Sequence, residues 1–215
     1  MKLVRYYSFQ CADAMKRQLN ENNEKRRIYY YSFQIILGGL VKAAFLIILA
    51  LLTGSIIETF SVILFYAGLR TLAGGYHMDD YLNCMLVSLA MFIGLGLAVK
   101  YTYYYWAPAG LLILSLFVFV IALLSSIRYA PAGTSFKPMN NTKRNSFLKK
   151  ASVFYVIVWQ LLNIFFFYKG YTLLMFSGCL GLLLESFSIS PAGYAFFDCI
   201  SCKMKNFKKK KILKG

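Results

Sequence analysis

The run QIILGGLVKAAFLIILALLT, residues 34–53, decides the fold class. As a helix, twenty mostly apolar residues rise about 30 Å, the thickness of a bilayer's hydrocarbon core. Comparable runs occupy residues 55–69, 84–99, 109–127, 151–168 and 171–189, each bounded by charge, Gly or Pro. The runs 55–69 and 84–99 are short of a full crossing unless their flanks join them. With 59% hydrophobic and 15% charged residues and a mean hydropathy of +0.57, the chain is unlike an ordinary soluble domain. The expected fold is all-α: a polytopic membrane protein of about six transmembrane helices.

A net charge of +16 would suggest nucleic acid in a soluble protein. Here the cations are sorted by loop, so no nucleic-acid partner is inferred. The first 33 residues carry Lys2, Arg5, Lys16, Arg17, Lys25, Arg26 and Arg27. The fourth-to-fifth loop carries Arg128, Lys137, Lys143, Arg144, Lys149 and Lys150, and the tail carries seven lysines from Lys203 to Lys214. The alternate loops offer only Lys100 and Lys169. By the positive-inside rule both termini and the loop 70–83 are cytoplasmic. No apolar h-region follows Met1-Lys2, so no cleavable signal peptide is expected.

Three regions follow: a basic N-terminal segment (1–33), a transmembrane catalytic domain (34–190) and a polybasic tail (191–215). In the first, Val4, Tyr7, Cys11, Ala14 and Met15 share one arc of a helix, which predicts an amphipathic element on an anionic inner leaflet. The fourth-to-fifth loop, with two prolines, a glycine and paired asparagines, reads as turn-rich until about Ser146. The five cysteines lie at expected cytoplasmic positions or, for Cys179, inside a span, so structural disulfides are not expected. Cys199-x-x-Cys202 cannot complete a zinc site without further ligands, and a lone histidine excludes two-histidine patterns, so neither a metal nor another cofactor is inferred.

The stretch LRTLAGGYHMDDYLNC, residues 69–84, gathers Arg70, Gly74-Gly75, the single histidine His77, Asp79-Asp80 and Cys84. A thiol is a useful nucleophile only as thiolate, and an imidazole can take its proton and later deliver one to a leaving amine. Seven residues apart on one straight helix, His77 and Cys84 would sit about 10 Å apart, beyond hydrogen-bond reach. The helix must therefore break between them. Gly74-Gly75 supplies the backbone freedom, and Asp79 or Asp80 can cap a new helix beginning near Tyr81 with Cys84 on its first turn. Asp79, Asp80 and Asn83 are all candidates to orient the imidazole. Arg70 is available to bind a substrate carboxylate or an oxyanion. Taken singly, a histidine beside a span is more often interfacial and a cysteine in an apolar run a small filler. Their conjunction singles the stretch out.

Arg70-x-x-x-Gly74-Gly75-x-His77 followed by Cys84 resembles the signature of the accessory gene regulator B (AgrB) family, membrane-embedded cysteine endopeptidases of Gram-positive quorum sensing. The segment YAPAGTSFKP, residues 129–138, resembles the family's Ala-Pro-Ala-Asp-Thr-x-x-Lys-Pro motif, with Gly133 where the family has an acidic residue. The resemblance covers essentially the whole chain. It implies a multi-pass protein of a Gram-positive cell membrane that processes an AgrD-like propeptide: Cys84 cleaves off the acidic tail through an acyl-enzyme, and a thiolactone or lactone closes. Lys143, Arg144, Lys149 and Lys150 are candidates to hold that acidic substrate, and a homo-oligomer is left open. The competing reading is a non-enzymatic peptide transporter or scaffold, with the intramembrane Glu58 and Glu185 lining a path.

The charge asymmetry has a direct test. In intact cells, an impermeant thiol reagent is expected to label Lys169→Cys and to spare Tyr76→Cys and Lys205→Cys. External labelling at position 76 would contradict the orientation.

Overall fold

Inside a bilayer every backbone N–H and C=O must be satisfied within the chain, so apolar runs of this length become helices. A computed structural model describes residues 2–76, 78, 80–132 and 142–212. They form eight helices: α1 (Lys2–Leu19), α2 (Asn23–Leu52), α3 (Ile56–Ala73), α4 (Tyr81–Thr102), α5 (Pro108–Tyr129), α6 (Thr142–Lys169), α7 (Thr172–Ile189) and α8 (Pro191–Ile212), with a 3-10 turn at Tyr103–Tyr105. Helices α2 to α7 are each long and apolar enough to cross a membrane. The chain is thus an all-α polytopic protein, and six crossings return the ends of the bundle to the same side. The two short runs do recruit their flanks: α3 extends to Ala73, and α4 starts at Tyr81.

Lipid tails are as apolar as leucine, so packing density rather than hydrophobic transfer holds such helices together, and small residues let backbones approach. α7 is the central helix, with most of its surface covered by protein. Its Gly181 lies so close to α3 that an added Cβ would stand 2.7 Å from the Val62 carbonyl oxygen, and one on Gly178 would stand 2.7 Å from Trp159 Nε1. Around these contacts Phe65 and Leu69 of α3, Val118 and Ala122 of α5, Val156 and Trp159 of α6, and Cys179 and Leu182 of α7 form the main core. At the far end of the bundle Lys100 Nζ donates to the Thr53 carbonyl, at 2.9 Å, tying α4 to the end of α2.

The N-terminal region differs from the amphipathic reading in detail. The helix ends at Leu19, Asn22 caps α2 by accepting from the Lys25 amide at 3.0 Å, and α2 runs unbroken through position 33. α1 folds back on α2 through Asp13–Arg26 (2.5 Å) and through the Arg26 guanidinium, 4.4 Å from the centre of the Phe9 ring. The face of α1 turned inward is Val4, Ser8, Cys11, Ala12 and Met15; Tyr7 and Ala14 are exposed. Close approach selects the small Ser8 and Ala12, and the larger Tyr7 turns away. α6 begins at Thr142 rather than near Ser146, and the polybasic tail continues as α8.

Gly181→Leu is expected to force α3 and α7 apart at a cost of about 2–3 kcal/mol, whereas Gly94→Leu, with open space around its Cα, is expected to be neutral. Thermal melts of the two variants in detergent check this. Equal melting temperatures would mean that the α3–α7 contact is not tight.

Candidate functional site

The site is built where α3 stops. Gly74 (φ 77°) and Gly75 (φ 127°) take left-handed backbone conformations that other residues avoid. Asp80 starts the next helix: its carboxylate accepts from the Leu82 amide at 3.1 Å, and its carbonyl accepts from the Cys84 amide at 3.0 Å. Cys84 therefore lies at the first turn of α4, half-buried and a free thiol. The expected break between residues 77 and 84 is present, and of the two aspartates offered as caps, Asp80 performs the task.

Two supports hold the break. On one side the segment following α5 pairs with it as backbone: the Ala132 amide donates to the Ala73 carbonyl at 2.7 Å, and the Gly75 amide donates to the Ala132 carbonyl at 3.4 Å. A side chain at Gly74 would strike that Ala132 carbonyl. The two motifs that lie far apart in sequence thus meet in a two-residue bridge.

On the other side stands Arg70, in the last turn of α3. One nitrogen, Nη2, donates to the Tyr76 carbonyl; the other, Nη1, donates to Ser188 Oγ at 2.9 Å and lies 3.5 Å from Glu185 Oε2. Ser188 in turn donates to Glu185 at 2.8 Å, and Glu185 is fully buried. A Cβ on Gly75 would fall on the Arg70 guanidinium. Glycine is thus required at position 75 both by its φ and by the arginine that passes it. A guanidinium committed in these directions holds the loop itself, while Arg70 also lines a cavity shared with Cys84.

α8 closes the site from outside the transmembrane bundle. Tyr76 donates its hydroxyl to Asp198 at 2.6 Å, stacks on Phe197 with ring centres 5.5 Å apart, and meets Tyr194 edge-on at 5.3 Å. Burial pushes the Tyr194 phenol above the ordinary tyrosine range.

A cavity of about 240 Å³ opens among these elements, lined by Cys84, Arg70, Tyr66, Lys42, Tyr76, Met78, Ser188 and Phe197, among others. His77 and Asp79 lie outside the described residues. Both chain neighbours of His77, Tyr76 and Met78, line the cavity that Cys84 lines. Asn83 is fully buried, and its amide has no hydrogen-bond partner among the described residues. Lys143, Arg144, Lys149 and Lys150 are exposed on the first turns of α6 and do not line the cavity. Glu58 sits in the first turn of α3, at the opposite end of that helix from Arg70. Gly133 and Lys137 are outside the described residues. Among those described, no three His, Cys, Asp or Glu side chains lie together as a metal site would require.

Residues 8–189 match the family model described as accessory gene regulator B. The chain belongs to the AgrB family. Proteins named no more specifically than AgrB-like are similar to it: those of Listeria welshimeri and Listeria monocytogenes are 31% identical over 165 residues, 76% of either chain. One from Clostridium perfringens is 23% identical over 190 residues, covering 85% of this chain and 89% of its own. No solved structure matches at a significant level. The AgrB match takes in every transmembrane helix and ends at Ile189, so the α8 residues that cover the cavity lie beyond it.

Sequence reasoning missed Lys42, Ser188 and the α8 aromatics. The signal for Lys42 was present: it is the lone charge between Arg27 and Glu58. Glu185 was noticed as an intramembrane acid without its partner being seen.

The Arg70–Glu185 pair is expected to be energetically coupled. In a double-mutant cycle with Arg70→Ala and Glu185→Ala, unfolding in detergent is expected to show a coupling of about 1–3 kcal/mol. Additive effects would mean that the pair is incidental.

Proposed function

We propose that the chain is a membrane-embedded cysteine endopeptidase that removes the C-terminal tail of an AgrD-like propeptide and promotes ring closure. AgrB family membership gives the broad quorum-sensing role and a multi-pass membrane location. The observation that carries the finer reading is the cavity shared by Cys84, Arg70 and both neighbours of His77.

In this mechanism His77 takes the Cys84 proton, and the sulfur attacks the carbonyl carbon at the end of the peptide's signal core. The tetrahedral intermediate collapses, re-forming the carbonyl as the C–N bond breaks, and the imidazolium gives its proton to the departing amine, releasing the tail. The core remains as a thioester on Cys84. A thiol or hydroxyl within the peptide then attacks that thioester, restoring the Cys84 thiol and closing a thiolactone or lactone. Ring closure in place of hydrolysis needs water kept away. Phe197, Met78 and Phe92 give the cavity an apolar wall for this.

Arg70 is the positioning residue, holding the Tyr76 carbonyl beside His77. Asp80 sets the start of α4 and so the place of Cys84, and Gly74 and Gly75 permit the break. The exposed Lys143, Arg144, Lys149 and Lys150 stand at the end of the bundle where α5 docks on the loop, and we assign them to the acidic tail of the propeptide. Cytoplasmic termini follow from the same cation distribution. The transporter reading asks Glu58 and Glu185 to share a path. Glu58 lies twelve residues from Arg70 along α3, about 18 Å, and Glu185 is already bound to Arg70 and Ser188.

Co-expression with the propeptide tests the assignment. Cys84→Ala, Cys84→Ser and His77→Ala are each expected to reduce tail release by at least about a hundredfold. Replacing Cys11, Cys179, Cys199 and Cys202 together by alanine is expected to leave most activity. Tail release by Cys84→Ala at the parent rate would overturn the protease reading.

A further inference from the structure

Lys42 stands apart from the Arg70–Glu185 pair and from the α8 contacts. It is a cation within the apolar stretch of α2, where an ammonium is costly and calls for a partner or a task. Lys42 belongs to none of the ion pairs Lys25–Glu21, Arg26–Asp13 and Arg70–Glu185. Its ammonium faces the Phe92 ring, 5.9 Å from the ring centre, and lines the cavity that holds Cys84.

Helix register brings the two residues to one level. Tyr81, at the start of α4, donates its hydroxyl to the Gly38 carbonyl of α2, and a Cβ on Gly38 would come within 2.6 Å of the Tyr81 ring. The two helices are separated by one return crossing, α3, and so run in the same direction. From Gly38 one turn leads to Lys42, about 6 Å along; from Tyr81 three residues lead to Cys84, about 4.5 Å along.

The cavity is lined by two cations and, among the described residues, by no carboxylate. Facing it are Lys42 from α2, Tyr66 and Arg70 from α3, Cys84 from α4 and Ser188 from α7. Of the adjoining carboxylates, Glu185 is paired with Arg70 and bonded by Ser188, and Asp198, which does not line the cavity, accepts from the Tyr76 hydroxyl. Lys42 thus shares the cavity lining with a thiol and with no carboxylate among the described residues.

We propose that Lys42 is a catalytic residue whose ammonium stands beside the Cys84 sulfur and stabilises it as thiolate. The proton leaves the thiol for His77, Lys42 keeps its own, and no bond to Lys42 forms or breaks. This inference rests on the reading of Cys84 as the nucleophile.

The test uses the full chain in lipid nanodiscs with Cys11, Cys179, Cys199 and Cys202 replaced by alanine, so that iodoacetamide, an uncharged probe, reports on Cys84 alone. Removing a cation beside a thiol lowers its thiolate fraction, and the higher nucleophilicity of the remaining thiolate offsets about half of that loss. Lys42→Met is therefore expected to slow alkylation at pH 7 by about threefold and to slow tail release in parallel. Lys42→Arg, which keeps the charge, is expected to alkylate within about twofold of the parent. Melting curves at or above the parent's confirm that both variants fold. Lys42→Met alkylating at the parent rate would overturn the proposal, whatever happens to cleavage. The alkylation ratio is measured without substrate, so it decides Lys42 separately from tail release by Cys84→Ala, the result that would overturn the protease reading itself.

Discussion

A guanidinium within a membrane bundle has to be answered by charge and by acceptors, and Arg70 is where this bundle meets that demand. Its counter-charge, Glu185, comes from the central helix and is itself bonded by Ser188 one turn on. Removing one member of a buried pair typically costs about 3–5 kcal/mol, because the other is left unpaired. That cost fixes α3 against α7 at the level where α3 must end. It also fixes the loop, since the free side of the same guanidinium holds the Tyr76 carbonyl. The glycine at 75 follows, as the arginine fills the space a side chain would need.

From this anchor the remaining geometry is derived. The loop is pinned by Arg70 on one side and by the Ala132 backbone on the other, so the chain is turned before α4 begins and Asp80 can cap it. Cys84 then opens into a cavity whose other walls come from α2, α3, α7 and α8. The cavity is consequently a product of helix packing as well as of the loop, and the proposed mechanism relies on those walls to keep a thioester apart from water.

How much of this was legible depends on the range of the interaction responsible. The six spans follow from local hydropathy, and the glycine break and aspartate cap follow from backbone chemistry within a few residues, so these could be read directly. The inward face of α1 could not, because a hydrophobic arc does not say that helix packing selects the small Ser8 and Ala12 over Tyr7. Nor could the partner of Arg70, 115 residues away in sequence, or the role of α8, whose lysines mark a surface segment while its Tyr194, Phe197 and Asp198 seat against Tyr76. Lys42 was hidden by hydropathy itself, since one lysine barely lowers the average of a strongly apolar run.

In the proposed mechanism the Cys84 sulfur forms the covalent bond to the peptide. The most direct measurement is intact-protein mass analysis of the full chain, acid-quenched during turnover of the propeptide, followed by peptide mapping of the adduct. The predicted result is a thioester-linked mass equal to the propeptide less its tail, located on the fragment containing Cys84 and released by hydroxylamine. Tail release under the same conditions with the adduct on another residue, or with no adduct at any quench time when ring closure is slower than cleavage, would contradict it.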